Sequence, residues 1–168
     1  MNTDDAVIVA LGGNLALEGR PVQAVLEQAL HALEAEGFSL IARSRWWRSA
    51  AWPDPAQPPF LNGVAWVATE LAPHEVLAAL MLIEAGLGRR RSEPNAPRTV
   101  DLDLIAYGRR VLDEEGLILP HPRAADRRFV MGPLSDIAPE WRHPVLGRSA
   151  AELAQTATIG ADAEPLDR

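Results

Sequence analysis

Two segments of helical periodicity, each opened by a proline and each set between short apolar runs, restrict the fold of this chain more than any other feature. From Pro21 to Glu36 the apolar positions Val22, Val25, Leu26, Ala29, Leu30 and Leu33 recur at helical spacing, and Gly37 ends the run. A second such segment starts at Pro73, a favourable first-turn residue, and runs to about Leu87. The stretches beside and between them read as strands: AVIVAL (6–11), FSLIARSRWW (38–47), FLNGVAWVATEL (60–71) and TVDLDLIA (99–106). In the second of these, Phe38, Leu40 and Ala42 fall on one face. The order strand, helix, strand, strand, helix, strand is the split βαβ pattern. It predicts an α+β, ferredoxin-like sandwich, a mostly antiparallel sheet with helices packed on it.

The connections fit that outline. SAAWPDPAQPP (49–59) carries four prolines in eleven residues and can continue neither strand nor helix, so it reads as a semi-rigid loop. RRRSEPNAP, ahead of the last strand, is a second loop. Beyond Gly108 a short ribbon is expected, then LILPHP, two short helical segments around 124–130 and 133–138, and a last helix over 149–157. At 168 residues one domain is expected, spanning 1–160, with an acidic tail over 161–168 that frays.

Composition removes whole classes of chemistry. The chain has no cysteine, which excludes thiolate nucleophiles and zinc-thiolate sites. It also has no lysine: all 16 basic residues are arginine, so Schiff-base chemistry and a lysine phosphate loop are excluded. Phosphate handling would rest on arginine, histidine, backbone amides or a metal. The net charge of −7 argues against a nucleic-acid partner. No apolar run is long enough to span a membrane, and MNTDDAVIVALGGN lacks the form of a signal peptide, so a cytoplasmic location is expected. The charge is uneven, however. Residues 89–128 hold nine arginines against seven acids, while four arginines face ten acids before them and three face six after them.

Within that basic segment lies the pair that most needs explaining. On the strand 99–106, Val100, Leu102, Leu104 and Ala106 alternate with Thr99, Asp101, Asp103 and Ile105. Two strand rises hold the carboxylates of Asp101 and Asp103 roughly 7 Å apart on one face, where like charges repel unless a cation lies between them. Two readings are open at this point. Magnesium takes a few carboxylate oxygens together with phosphate oxygens, and this ledge supplies them. Alternatively the pair bridges to Arg89, Arg91 or Arg98, although such an ion-pair set adds little net stability. Those three arginines bracket the loop 92–97 and suit a clamp closing over phosphate; any one of them taken singly reads as surface charge, with Arg98, three residues before Asp101, the one that leans to function. His121, fixed between Pro120 and Pro122, has either a phosphate-donor role or a plain loop role. His31, His74 and His143 read as structural or surface residues. Phe60, Asn62 and Phe129 have the chemistry to sandwich and read a flat heterocycle, although the two rings taken by themselves read as core residues. Glu84 takes a partly inward helix position that calls for an arginine partner.

Taken together, VALGGN, FLNGVAW, IEAGLGRRR, PRTVDLDLIAYG, LPHPRAADRRFV and PL-x-DIAP resemble, in this order, the 6-hydroxymethyl-7,8-dihydropterin pyrophosphokinases of folate synthesis. The resemblance covers roughly residues 6 to 148. It implies a monomer that binds ATP as co-substrate and two magnesium ions, transfers the β,γ-diphosphate to the pterin hydroxymethyl group and releases AMP. By motif, Asp101 and Asp103 match the magnesium ligands, and Arg89 and Arg98 the catalytic clamp. Glu84, Arg91, His121 and Arg127 match nucleotide contacts. Phe60 and Phe129 match the pterin-stacking rings and Asn62 the residue that reads the pterin edge, with help from the backbone of Ser49 to Ala51.

The chain departs from that pattern in four places. Gly13 replaces a serine, and the loop between Arg91 and Arg98 is one residue shorter. Asn95-Ala96 stands in place of tryptophan-glycine. The proline expected soon after Ser49 is replaced by Ala50-Ala51-Trp52. These changes bear on loop closure and nucleotide affinity more than on the aspartates. Two other classes compete. A nucleotidyltransferase would keep AMP on the acceptor and release diphosphate, though its glycine turn and aspartates usually lie close in sequence. A silent binding relative would hold ATP without turning it over.

Overall fold

The structure is a computed structural model that describes residues 2–51, 54–88 and 100–166. Strand β1 (Val7–Gly13) is buried along its whole length. Helix α1 (Val22–Ala35) follows, with Pro21 just outside it as N-cap. It stops where Gly37 adopts φ 97°, a left-handed conformation that costs glycine little, and the amide of Phe38 turns back to the carbonyl of Leu33 at 3.1 Å.

The run expected to be one strand over 38–47 is two, β2 (Ser39–Arg43) and β3 (Trp47–Ser49). Both pair with the same edge of β4 (Phe60–Ala68). Ser44 makes the break: its hydroxyl takes the amide of Val64 at 2.9 Å in place of a strand partner. A bulge between Leu40 and Ala42 also shifts the register, so Ala42 joins the opposite core from Phe38 and the expected common face is lost. Helix α2 (Pro73–Gly86) begins on Pro73, and the Glu75 carboxylate accepts the Ala72 amide at 2.8 Å. It leads to the edge strand β5 (Asp101–Tyr107).

These strands form a sheet in the order β5, β1, β4, then β2 and β3 along the far edge of β4, with every pair antiparallel. Both predicted helices lie on one face. Leu26, Leu30 and Leu33 of α1 and Val76, Leu80 and Ile83 of α2 pack on Val7, Val9 and Leu11. The opposite face, carrying Ile8, Ala10, Val64 and Trp66, is covered by α3 (Arg128–Ile137) and α4 (Ala150–Thr156). The predicted ribbon is present as β6 (Leu112–Glu114) and β7 (Leu117–Leu119).

Where two short helical segments were expected around Pro133, there is a 3-10 turn at Ala124–Asp126 and then α3, which runs through the proline. Pro133 forfeits one helical hydrogen bond, but it is buried with Val130, Met131 and Leu134 against the sheet, and that packing holds the helix together. A further difference is the C-terminal segment. Residues expected to fray are docked: β8 (Glu164–Pro165) pairs with β3, and Ala163 is buried. Among the described residues no helix is long and apolar enough to cross a membrane.

Candidate active site

Strand register builds the site. Asp101 of β5 stands opposite Gly12 of β1, Gly12 opposite Asn62 of β4, and Asn62 opposite Trp47 of β3, in one row across the sheet. Asp103 stands opposite Ala10, and Ala10 opposite Val64, one row along on the same face. Directly opposed residues share a face, and so do residues two apart on a strand. Ser49, opposite Phe60, belongs to that face as well. The sheet therefore presents Asp101, Asp103, Asn62, Phe60 and Ser49 together, on the side covered by α3. Gly12 is required in this row, because a Cβ there would stand 2.3 Å from Oδ1 of Asn62. The asparagine side chain thus lies over bare backbone, leaning toward the aspartates.

Both aspartates are half-buried. The alternation that set them on one face holds through Ile105 and then fails. A bulge between Ile8 and Val9 on the partner strand leaves Ile105 unopposed, so Ile105 and Ala106 both enter the α3 core, whereas Ala106 was expected beside Leu102 and Leu104.

Glu84 is buried on α2, on the other side of β5. Its Oε2 accepts the Leu102 amide at 2.7 Å. This bond ties the carboxylate to the outer edge of the aspartate strand. The loop arginines Arg89, Arg91 and Arg98, among which its expected partner falls, lie outside the described residues.

His121 follows a cis Leu119–Pro120 bond and is tied to β5 by its amide, which donates to the Ile105 carbonyl at 2.8 Å. Nδ1 accepts the Arg123 amide at 3.2 Å, so the ring proton resides on Nε2. Burial pushes the imidazole down to about 4, helped by the Arg127 and Arg123 cations and opposed by the Asp101 carboxylate. At neutral pH it is an uncharged N–H donor near Asp101. The Arg127 guanidinium stands 5.6 Å from the centroid of the Phe129 ring. Phe129 is half-buried and is backed by Gly160, where a Cβ would fall 2.5 Å from the ring.

Sequence reasoning did not single out two residues that shape this region. Asn14 was read as part of a turn signal. It is buried, and its Nδ2 donates to the Pro58 carbonyl at 3.0 Å, pinning the proline-rich loop to the end of β1. Asp162 was assigned to a frayed tail, yet its Oδ2 accepts the Ala50 amide at 2.8 Å. A polar residue directly after a glycine pair was a usable signal for Asn14. Nothing local marks Asp162. Ser49 and Ala51, expected to contribute backbone, are both buried.

The donor set fits magnesium. Among the described residues no group of three or more histidine, cysteine, aspartate or glutamate side chains converges as a transition-metal cage. Two half-buried carboxylates on one face of a strand are the kind of oxygen donors that magnesium takes, together with water and phosphate oxygens.

The fold is that of known pyrophosphokinase domains. Wild-type Plasmodium falciparum HPPK-DHPS superposes with a TM-score of 0.70 at 14% identity, over 89% of this chain and 44% of that one. The family model for 7,8-dihydro-6-hydroxymethylpterin-pyrophosphokinase (HPPK) matches residues 8–139, and the chain belongs to that family, the pyrophosphokinases of folate synthesis. The 2-amino-4-hydroxy-6-hydroxymethyldihydropteridine pyrophosphokinase of Pseudomonas aeruginosa is 42% identical over 147 residues, 88% of each protein. The protein of the same name from Synechocystis is 40% identical over 149 residues, 88% of this chain and 74% of that protein. The folic acid synthesis protein fol1 of Pneumocystis carinii is 38% identical over 148 residues. These are 88% of this chain but 20% of that protein, so the chain spans about a fifth of its length.

Proposed function

We propose that this chain transfers the β,γ-diphosphate of ATP to the hydroxymethyl oxygen of 6-hydroxymethyl-7,8-dihydropterin and releases AMP, acting as a cytoplasmic monomer. The observation that carries the reading is the single sheet face on which register gathers Asp101, Asp103, Asn62, Phe60 and Ser49.

In this reading Asp101 and Asp103 would hold two magnesium ions, which would supply neutralisation of the phosphate charge. The pterin lies between Phe60 and Phe129, where its flat ring stacks and its amide edge meets Asn62 and the backbone of Ser49 to Ala51. His121, neutral with its proton on Nε2, donates to a phosphate oxygen without adding charge. Glu84, Arg91 and Arg127 complete the nucleotide contacts, and Arg89 and Arg98 close over the transferring group. The hydroxymethyl oxygen attacks the β-phosphorus, the bond from the β-phosphorus to the oxygen bridging it to the α-phosphate breaks, and the hydroxyl proton passes to solvent. Positioning and charge neutralisation suffice for such a transfer, so no covalent nucleophile is needed.

Incubation with ATP, magnesium and 6-hydroxymethyl-7,8-dihydropterin tests this, with AMP resolved from ADP. AMP that forms only when the pterin is present is the expected result. ADP, diphosphate release, or no turnover by the folded protein would overturn it.

A further inference from the structure

The segment that follows α4 lies beyond the residues matched by the family, 8–139, yet it is threaded into the pterin side of the proposed site. The Ile159 carbonyl accepts the Arg128 amide at 2.9 Å, at the start of α3. Gly160, at φ 67°, packs against the ring of Phe129. The Ala163 carbonyl accepts Nε of Arg128 at 2.9 Å. Glu164 and Pro165 then pair with Arg48 and Trp47, and the Leu166 amide donates to the Trp46 carbonyl at 2.9 Å. Between these anchors Asp162 reaches Ala50. The two lie on the wall of a cavity of about 420 Å³, shared with Arg48, Ser49 and Glu164.

Ala50 sits where β3 gives way to the proline-rich loop. Neither Ala50 nor Ala51 has a polar side chain to fold back on the backbone, and no glycine turn or proline fixes the chain at these two positions. The Oδ2 contact to the Ala50 amide at 2.8 Å restrains the chain there from outside the loop, with a charge-assisted hydrogen bond.

We propose that Asp162 is a positioning residue for pterin recognition. Its carboxylate fixes the backbone of Ser49 to Ala51, while Gly160 on the same segment backs the stacking ring of Phe129. The inference rests on the proposed role of Ser49 to Ala51. The segment also bridges to Arg127 through Ile159, but Asp162 itself acts at Ala50, on the pterin side, so the effect of changing it falls on the pterin rather than the nucleotide.

The test compares Asp162→Ala with Asp162→Asn, whose amide oxygen still accepts a hydrogen bond. Asp162→Ala is expected to raise the KM for the pterin about fivefold, the weight of one charge-assisted hydrogen bond at an exposed position, with kcat and the KM for ATP within about twofold of the unaltered chain. The Ala50 amide should exchange with deuterium faster in Asp162→Ala, and Asp162→Asn should restore most of both properties. An unchanged pterin KM, a matching loss for ATP, or unchanged exchange at Ala50 would overturn the proposal. Exchange at Ala50 is read without turnover. If the unaltered chain makes no AMP the proposed function fails, while the exchange result still reports on the restraint at Ala50.

Discussion

Glu84 Oε2 accepts the backbone N–H of Leu102 at 2.7 Å, from a carboxylate almost wholly buried on α2. Leu102 is the residue between Asp101 and Asp103, and β5 is the edge strand of the sheet. The edge amide that β1 leaves unused is therefore satisfied by a helix, and the strand bearing both aspartates is held from both sides. Glu84→Ala is expected to lower the free energy of unfolding by about 2 kcal/mol, because it strands a buried donor. Glu84→Gln, which keeps an acceptor, should cost about half as much. Urea denaturation of both variants checks this, and equal costs would show that the bond to Leu102 contributes little.

Asp103→Ala should cut AMP formation by at least about a hundredfold, the scale seen when a group stabilising transition-state charge is removed. The protein should remain folded, since the substitution also relieves repulsion from Asp101. Magnesium titration of turnover is the measurement, with circular dichroism to confirm the fold. Near-normal turnover would remove the aspartates from the metal role.

Gly12→Ala places a methyl group where Oδ1 of Asn62 now lies, 2.3 Å from the new Cβ. The asparagine must swing away, since β1 is buried and paired on both sides. The expected cost is about 1–3 kcal/mol of stability, and the pterin KM should rise more than the KM for ATP. Steady-state kinetics with each substrate varied in turn would show whether the two effects separate.

His143 is buried beside Trp141, and its Nδ1 accepts the amides of Val145 and Leu146 at 3.2 and 3.1 Å. Burial holds its pKa below the ordinary 6.5. A histidine with a depressed folded-state pKa binds fewer protons folded than unfolded below pH 6.5, so its contribution is intact above that pH and is lost as pH falls through the folded value. His121, pushed down to about 4, has the same sign. The melting temperature should fall as pH is lowered from 6.5 toward 4, and less steeply in His143→Asn. A parallel decline in the variant would exclude His143 as a source.

Local sequence alone determined the order of elements and the placing of Asp101, Asp103, Asn62 and Phe60. Helical period, strand alternation and proline or glycine stops are short-range properties, and residues two apart on a strand share a face wherever the strand lies. Tertiary structure decided the rest. Ser44 split one expected strand in two, and the bulges opposite Val67 and Val9 reversed the faces of Ala42 and Ala106. Packing on the sheet carried α3 through Pro133. Neither the approach of His121 to Asp101 nor the contact of Asp162 with Ala50 has a local signature. Such contacts join distant parts of the chain, and they form because a buried or otherwise unpaired polar group takes the partner that folding brings within reach.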